Sequence, residues 1–510
     1  MSKYTRSIAA TGHEMVSGTA AEILSAGGNA FDAAVAAGFA GAVAEQTLTS
    51  LGGGGFLLAR TAGEKGPCRE IFFDFFVDTP GRGRRQSIDP HFFPVTVDFG
   101  GSKQEFNIGM GSVAVPGILK GLLHVHKRLG RMNLADVLLP AITLAKGHEL
   151  NAFQAGFLQL LHPIMTMTQY GRQLYEPGGQ YMHAHDILVN PDMAAFLEQL
   201  PGDLGENFYT GDIARRIDLD MREGQGLLTY EDLAEYRVIE REPLRAPFRG
   251  RTLLTAPPPS MGGPLIALSL VLLENMDIPT IWGSGEHLLR TTGLMREVES
   301  LREQGVCTPE TLTAYLADGR IVQSTERIRL FSRGTTHISI ADHEGNVASM
   351  TCSNGEGSGY FAPGTGIMLN NMMGEDDLHP DGFHTSPAGE RVGSMMSPSV
   401  LLKGDDVELV IGSGGSKRIR TAITQVLSQI VDFDRSPGIA VRSPRLHYDG
   451  KVLQVEPGFD KEALAAVQKK VATNVWQERS MYFGGVHIVV PGELGVGDPR
   501  RGGSVTVVEV

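Results

Sequence analysis

Residues 334–359 read GTTHISIADHEGNVASMTCSNGEGSG, and this stretch predicts a β-hairpin that begins with a threonine. Residues 335–341 and 347–353 each alternate between two kinds of side chain, which is the pattern of a strand with two different faces. The connection at 342–346 places Gly345 where a short hairpin loop needs a left-handed backbone. The stretch therefore predicts two antiparallel strands joined by a tight loop.

The register of this hairpin predicts a nucleophile. If Asp342 pairs with Asn346, Thr335 lies opposite Ser353, where cross-strand side chains contact each other. A threonine hydroxyl is a poor nucleophile unless a base lies beside it. Cleavage between Gly334 and Thr335 would supply that base, because it frees an α-amine with an ordinary pKa of about 7.7–8.0 on the same residue. A threonine that merely begins a strand is the alternative.

Two other residues of the hairpin have side chains that can react. His337 lies on the same strand face as Thr335 but two residues further along. Cys352 belongs to the opposite face, where we expect it to pack in the interior. We expect neither to take part in the chemistry.

A second segment, VELVIGSGGSKRIR at 407–420, predicts a strand, a glycine turn and a helix. Gly414 and Gly415 come at the start of the helix, with Ser416 as the predicted N-cap. Free backbone N–H groups at such a position can stabilise an oxyanion. They could equally bind a phosphate, but Lys417 follows Ser416 instead of preceding a hydroxyl residue as a P-loop requires. Nucleotide binding is therefore the minor alternative.

Length and composition restrict the class of protein. The 510 residues exceed the usual size of a single hydrophobic core. The net charge of −13 argues against a nucleic-acid or anionic membrane partner. The three cysteines, Cys68, Cys307 and Cys352, are too few and too scattered for a disulfide framework or a zinc site. We expect no metal and no cofactor.

The first residues and the longer hydrophobic segments suggest where the protein acts. The start, MSKYTRSIAATGHEM, lacks the apolar core of a signal peptide. No stretch is apolar over a length that would span a bilayer. We therefore expect a cytoplasmic location.

The hydrophobic pattern divides the chain near residue 334 into a helix-rich part and a strand-rich part. The predicted elements are two Ala-rich helices in 15–48, strands at 56–60 and 71–76, helices in 112–150, mainly helix in 151–330, and short strands after 335.

Nine segments, taken in order, resemble the γ-glutamyltransferase (γ-glutamyltranspeptidase) family. They are GGNAFDAAVAA (27–37), SLGGGGF (50–56), VPGILKGL (115–122), GLLTYEDLAEYR (226–237), APPPSMGG (256–263), TTHISIAD (335–342), PGTGIMLNN (363–371), SMMSPS (394–399) and GSGGSKRIRT (412–421). The resemblance implies an α+β fold, the four-layer αββα sandwich of N-terminal-nucleophile hydrolases. It also implies self-cleavage into a helix-rich large subunit, 1–334, and a catalytic small subunit, 335–510, that remain associated. A homodimer of the pair is left open.

The resemblance assigns catalytic roles to four residues. Thr335 corresponds to the nucleophile and new N-terminus, and Ser353 to the hydroxyl residue that supports the α-amine. Gly414 and Gly415 correspond to the oxyanion-hole pair. These assignments agree with the hairpin register and with the predicted helix start.

The resemblance also implies substrate-binding roles for Asn354, Glu375 and Ser394, although the chain departs from the family pattern near them. Phe76 occupies the position of the arginine that holds the α-carboxylate of a γ-glutamyl group, and it can make no such ion pair. Met372 replaces a polar family residue. Three arginines follow Phe76 closely as candidate replacements: Arg82, Arg84 and Arg85.

The family activity is the expected one. A threonyl acyl-enzyme would form from a γ-glutamyl compound such as glutathione, and water or an amino acceptor would resolve it. A family amidohydrolase or acylase for a different amide is the alternative, motivated by Phe76. An uncleaved, catalytically silent family member is a further alternative.

Overall fold

The computed structural model describes residues 3–63, 68–83, 88–98, 103–304, 334–375, 378–379 and 382–510. The helices are α1 (Glu14–Ser25), α2 (Ala30–Ala44), α3 (Ile118–Leu129), α4 (Leu134–Lys146), α5 (Ala152–Leu160), α6 (His162–Met165), α7 (Gln169–Tyr175), α8 (Pro191–Asp203), α9 (Glu206–Tyr209), α10 (Asp212–Glu223), α11 (Tyr230–Glu235), α12 (Gly262–Glu274), α13 (Gly285–Glu303), α14 (Arg418–Val431), α15 (Pro437–Arg442) and α16 (Lys461–Gln468).

The strands are β1 (Arg6–Thr11), β2 (Gly54–Arg60), β3 (Glu70–Phe75), β4 (Phe93–Asp98), β5 (Lys103–Ile108), β6 (His148–Glu149), β7 (Ile187–Leu188), β8 (Ile239–Arg241), β9 (Leu244–Phe248), β10 (Arg251–Thr255), β11 (Thr336–Ala341), β12 (Val347–Ser353), β13 (Phe361–Ala362), β14 (Ile367–Met368), β15 (Ser399–Lys403), β16 (Asp406–Gly414), β17 (Leu446–Tyr448), β18 (Leu453–Val455), β19 (Thr473–Val475), β20 (Gly485–Val490), β21 (Leu494–Val496) and β22 (Ser504–Glu509).

Two sheets form the middle of the molecule. One has seven strands in the order β22-β1-β11-β12-β2-β3-β8, and the other has six in the order β21-β20-β16-β15-β10-β9. The sheets stack face to face, because β11 contacts both β16 and β20. Their inner faces bury Phe56, Ile411 and Val486 in one hydrophobic cluster.

Helices cover the outer face of each sheet. Helices α1, α2 and α3 pack on the seven-stranded sheet, and α12 and α14 pack on the six-stranded sheet. Every residue of α2 is buried, which its many alanines permit by letting the neighbouring elements approach closely. A capping box of Asn29 and Asp32 begins this helix. The layers are helix, sheet, sheet and helix, so the predicted αββα fold is confirmed.

The hairpin has the predicted register. Thr336 pairs with Cys352, and every later pair follows in step down to Ala341 with Val347. The Asp342 N–H donates to the Asn346 carbonyl at 3.0 Å. Gly345 has a φ of 97°, as the loop requires. The same register, continued by one residue, places Thr335 beside Ser353.

The parts of the chain before and after residue 334 share both sheets. Strands β11 and β12 lie between β1 and β2, and β15 pairs with β10. The compositional border near 334 is therefore not a boundary between separately folded domains.

The prediction of mainly helix for 151–330 is wrong at 239–255, where β8, β9 and β10 lie. Strand β9 is the edge of its sheet and contains Pro247, which a strand tolerates at an edge. Its proline and exposed charges obscure the alternation by which a strand is recognised. The last part of that range, 305–330, lies outside the described residues. Among the residues described, no helix combines the length and apolar character needed to cross a membrane.

The packing of α3 on β3 predicts an unusual effect of an alanine substitution. A Cβ at Gly121 would overlap the ring of Phe75. Alanine improves helix propensity by about 1 kcal/mol, but overpacking a core typically costs about 1–3 kcal/mol. We expect Gly121→Ala to lower the melting temperature.

Gly18→Ala is the matched control, because a Cβ at this exposed position of α1 meets nothing within 4 Å. It should leave the melting temperature unchanged or raise it. A Gly121→Ala protein as stable as the control would contradict the close approach of α3 to the sheet.

Candidate active site

Thr335 precedes β11 and is one of the residues that line a pocket, whose empty space is about 350 Å³ when the solvent at its mouth is included. It is almost completely buried, with 3% of its surface exposed. The apolar lining residues are Phe76, Met372, Leu378, Met395, Met396 and Ile419, and the other polar ones are Ser353, Glu375, Ser394 and Ser416. A buried threonine that lines a largely apolar pocket could react with a small acyl compound.

The peptide bond before Thr335 is held by specific hydrogen bonds. The Ser353 hydroxyl donates to the Gly334 carbonyl oxygen at 2.6 Å and accepts from the Gly355 N–H at 3.1 Å. The Gly334 N–H donates to Glu356 Oε1 at 3.3 Å. A donor on the Gly334 carbonyl polarises it toward nucleophilic attack.

The other side of Thr335 contacts the glycine segment after β16. A Cβ at Gly414 would overlap the Thr335 carbonyl oxygen, so only glycine fits there. Gly415 follows with a φ of 119°, in the left-handed region that favours glycine. Arg501 Nη1 donates to the same Thr335 carbonyl at 3.2 Å. The predicted pair Gly414 and Gly415 is therefore adjacent to the predicted nucleophile.

The prediction of Ser416 as N-cap is wrong. Helix α14 begins at Arg418, and its N-cap is Lys417, whose side chain makes no capping bond. Ser416 instead has a φ of 51° and lines the pocket. Two left-handed residues in succession extend the turn, which delays the helix.

The predicted substrate-binding residues separate into two groups. Glu375 is 5% exposed and lies over Gly355, and its carboxylate lines the pocket. Ser394 also lines it, and its hydroxyl accepts from the Met396 N–H at 3.1 Å. Asn354 is not among the lining residues, and its buried amide has no hydrogen-bond partner in the described part of the chain.

The pocket wall at Phe76 has no counter-charge for a carboxylate. The Phe76 ring is buried beside Phe56, with ring centres 5.5 Å apart. Arg82 donates to Glu235 at 2.8 Å and is not among the residues that line the pocket. The other candidate replacements, Arg84 and Arg85, lie outside the described residues. Of the described residues that line the pocket, none is a lysine or an arginine.

His337 is a structural residue between the sheets. Its Nδ1 lies 2.8 Å from the Thr351 hydroxyl, and its Nε2 lies 3.0 Å from the Ser339 hydroxyl. Burial lowers the pKa of its imidazole well below the ordinary value. The ring is therefore neutral, and both of its nitrogens are engaged in these contacts. Burial likewise raises the pKa of the Cys352 thiol, which packs in the core.

Sequence reasoning missed two charged residues beside the hairpin, Glu45 and Arg501. Glu45 ends α2, is fully buried, and accepts from the Thr336 hydroxyl at 2.9 Å. Burial raises the pKa of its carboxyl to about 7, against the opposing effects of Thr336 and Arg501. Burial lowers the pKa of the Arg501 guanidinium to about 10. One signal was available, since Glu45 is the only charged residue between Asp32 and Arg60.

The raised pKa of Glu45 predicts how stability depends on pH. Its ordinary value is near 4.5, so between about pH 4.5 and 7 the native carboxyl keeps a proton that the unfolded chain has lost. The Glu45 contribution to the free energy of unfolding therefore falls as pH rises through this range. Glu45→Gln lacks this titration. We expect its melting temperature, relative to wild type, to rise from pH 5 to pH 8; a difference that stays constant or declines would contradict the buried, uncharged carboxyl.

Comparisons with known proteins agree with the fold. A sequence profile of the family described as gamma-glutamyltranspeptidase matches residues 16–508. The chain is 32% identical over 465 residues to the glutathione hydrolase proenzyme of Pseudomonas aeruginosa, covering 84% of this chain and 80% of that protein. It is 31% identical over 484 residues to the acylase ACY 1 proenzyme of Pseudomonas sp. strain SE83, covering 91% and 86%.

The chain is also similar to solved structures over nearly its whole length. The cephalosporin acylase from Bacillus halodurans superposes with a TM-score of 0.82 at 25% sequence identity, covering 99% of this chain and 96% of that one.

Proposed function

The chain belongs to the gamma-glutamyltranspeptidase family, and we propose on this basis that it is a self-processing enzyme with Thr335 as its nucleophile. It cleaves its own chain before Thr335. It then hydrolyses or transfers the γ-glutamyl group of a glutathione-type compound through a threonyl ester.

The hydrogen bond from Ser353 to the Gly334 carbonyl is the observation that carries this proposal. At 2.6 Å it is a short contact between a buried hydroxyl and the one carbonyl that self-cleavage must attack. A hydroxyl in this place stabilises the oxyanion that develops as the carbonyl becomes tetrahedral. A threonine that only begins a strand has no need of it.

Self-cleavage follows from these contacts in two steps. The Thr335 hydroxyl oxygen attacks the carbonyl carbon of Gly334, and the bond from that carbon to the Thr335 nitrogen breaks. The hydroxyl proton passes to that nitrogen, which becomes a free amine, and the two parts of the chain are then joined by an ester. Water hydrolyses the ester, leaving a carboxylate on Gly334 and restoring the threonine hydroxyl.

Turnover repeats the attack on a substrate amide. The α-amine of Thr335 accepts the proton of the hydroxyl, whose oxygen attacks the substrate carbonyl. The N–H groups of Gly414 and Gly415 stabilise the oxyanion, and the leaving amine takes the proton from the α-ammonium. Water or an amino acceptor then resolves the threonyl ester. Glu375 and Ser394 bind the acyl group, while Asn354 acts from beside the pocket.

The fragments 1–334 and 335–510 stay associated as the large and small subunit of this proposal. Both sheets contain strands from each fragment, so their separation would break strand pairing within each sheet. A homodimer of the pair and a cytoplasmic location remain predictions.

A second candidate function is the cleavage of an amide whose acyl group is less polar than γ-glutamyl. The specific observation is the pocket wall of Phe76, Met372 and Met395, with one carboxylate at Glu375 and no lining cation among the described residues. A carboxylate buried here without a partner would be strongly disfavoured.

Self-cleavage is tested by the mass and N-terminal sequence of the purified protein. Wild type should give two fragments, the second beginning at Thr335, whereas Thr335→Ala should remain one chain. Ser353→Ala should cleave about 100-fold more slowly, since one oxyanion donor is typically worth that much. Ser349→Ala is the matched control, a buried hydroxyl on the same strand that donates to the Ile411 carbonyl at 3.1 Å. It should cleave at the wild-type rate. A wild-type chain that remains uncleaved would contradict the proposal.

Three anilides separate the two candidate functions. They carry a γ-glutamyl group, its 4-aminobutanoyl analogue without the α-carboxylate, and its glutaryl analogue without the α-amine. We expect the cleaved enzyme to turn over the γ-glutamyl anilide. A higher kcat/KM for the 4-aminobutanoyl anilide would favour the second candidate. No turnover of any amide by a cleaved enzyme would contradict both.

Phe76→Arg should change this preference in a known direction. A charge-assisted hydrogen bond is worth about 1.5–3 kcal/mol, so the ratio of kcat/KM for the γ-glutamyl over the 4-aminobutanoyl anilide should rise about tenfold or more. The ratio is measured within one protein, so lost stability does not affect it. Phe76→Leu is the control and should leave the ratio unchanged. An unchanged ratio in Phe76→Arg would show that Phe76 does not face the acyl group.

A further inference from the structure

Arg501 lies beside both the proposed nucleophile and the glycine segment. Its Nη1 donates to the Thr335 carbonyl at 3.2 Å. A Cβ at Gly414 would lie 3.3 Å from Nη1, and one at Gly415 would lie 3.6 Å from Nη2. The Arg501 methylenes pack on Gly485, where a Cβ would be 2.6 Å from Cδ. The guanidinium is therefore fixed beside the residue that self-cleavage turns into an N-terminus.

Glu45 approaches the same place from the helical layer. Its Oε2 accepts from Thr336, the residue that follows the nucleophile, at 2.9 Å. Its Oε1 accepts no hydrogen bond from any described residue. Gly12, which follows β1, lies close to both Glu45 and Arg501. A Cβ there would be 2.9 Å from Glu45 Oε1 and 3.4 Å from the Arg501 carbonyl oxygen.

Arg501 is positively charged, and Glu45 becomes negatively charged as the pH rises through about 7, where its pKa lies. Arg501 contacts Thr335 and Glu45 contacts Thr336, so both lie near the nitrogen that cleavage turns into an amine. A nearby positive charge disfavours protonation of an amine, whereas a nearby carboxylate favours it. Arg501 therefore keeps the Thr335 amine unprotonated at lower pH, and Glu45 opposes this effect once its carboxyl loses its proton at about pH 7. The amine must be unprotonated to accept the hydroxyl proton.

We propose that Arg501 and Glu45 are positioning residues that act through the Thr335 α-amine, their opposite charges setting the pH range in which this amine works as the general base. The inference rests on the proposed function, because the amine is produced by the self-cleavage. Neither side chain touches the substrate. In each turnover the proton moves from the Thr335 hydroxyl to the Thr335 nitrogen and then to the leaving amine.

Other charged or titratable groups also approach this site from the elements packed around it. They are Glu356 in the loop after β12, Glu375 at the pocket, Cys352 on β12, Arg418 at the start of α14, His487 on β20, and Asp498 before Arg501. The substitutions below leave all of them in place, so their fields are common to every arm of the experiment.

The test is the pH dependence of kcat/KM, measured on cleaved protein with the γ-glutamyl anilide or with the analogue that is turned over best. The quantity compared is the position of the acidic limb, that is, the pH at which kcat/KM falls to half of its maximum on the acidic side. Glu45→Gln should move the limb to lower pH by about half a unit, and Arg501→Gln should move it to higher pH by about one unit. Arg501→Lys keeps the charge and should leave the limb near its wild-type position. The double variant Glu45→Gln/Arg501→Gln removes both charges and should lie between the single variants.

Asp342→Asn is the matched control. Asp342 is a buried carboxyl beyond the far end of β11, about 20 Å from Thr335 at the rise of a strand. Its substitution should not move the limb. A purely structural role for Glu45 or Arg501 would lower kcat/KM at every pH without opposite shifts of the limb.

The outcomes separate this inference from the function on which it rests. An uncleaved wild-type chain overturns both. A cleaved, active enzyme whose limb is unmoved, or moves to higher pH, in Glu45→Gln overturns the inference alone. If Arg501→Gln does not cleave itself, the acidic limbs of Glu45→Gln and Arg501→Lys are compared instead. Acidic limbs at the same pH in these two variants overturn the proposal.

Discussion

The central constraint in this molecule is that the two carbonyl groups on either side of the Thr335 nitrogen are both held. Ser353 donates to the carbonyl of Gly334, and Arg501 donates to the carbonyl of Thr335 itself. Pairing of β11 with β1 and β12 extends this fixation along the strand. Thr335 therefore has little freedom to move, and Gly414 lies against its carbonyl. The proposed stabilisation of an oxyanion by the glycine segment requires this close, fixed contact.

Two charged residues beside this hairpin, Glu45 and Arg501, are buried, although proteins usually keep charges at the surface. Glu45 is fully buried at the end of an apolar helix, and its carboxyl reaches the hairpin only through the Thr336 hydroxyl. One of its oxygens accepts no hydrogen bond from the described residues, and burying an acid in this way costs stability. In the proposed turnover, Arg501 and the ionised form of Glu45 act on the amine that accepts the proton of the Thr335 hydroxyl and passes it to the leaving amine. Exceptions of this kind to the rule that charges stay outside are typical of functional sites.

The hairpin could be predicted because its side-chain alternation and loop length allow one register, which puts Ser353 beside Thr335. The pocket could be anticipated in part, from Phe76 and Met372 at positions where polar residues were expected. Arg501 could not be predicted, since it lies 166 residues away in sequence from Thr335 and no local pattern distinguishes it. The helix start was misplaced because Gly415 and Ser416 both adopt a left-handed backbone, which extends the turn before the helix begins at Arg418.

The pocket determines which acyl group is transferred to the enzyme. The central claim is that this acyl group becomes attached to Thr335. Intact mass of the 335–510 fragment, quenched during turnover of a slowly hydrolysed ester or anilide, measures this most directly. The fragment should gain the mass of the acyl group, and peptide mapping should place the group on Thr335. An acyl group on another residue, or a fragment that stays unmodified while substrate is consumed, would contradict the account.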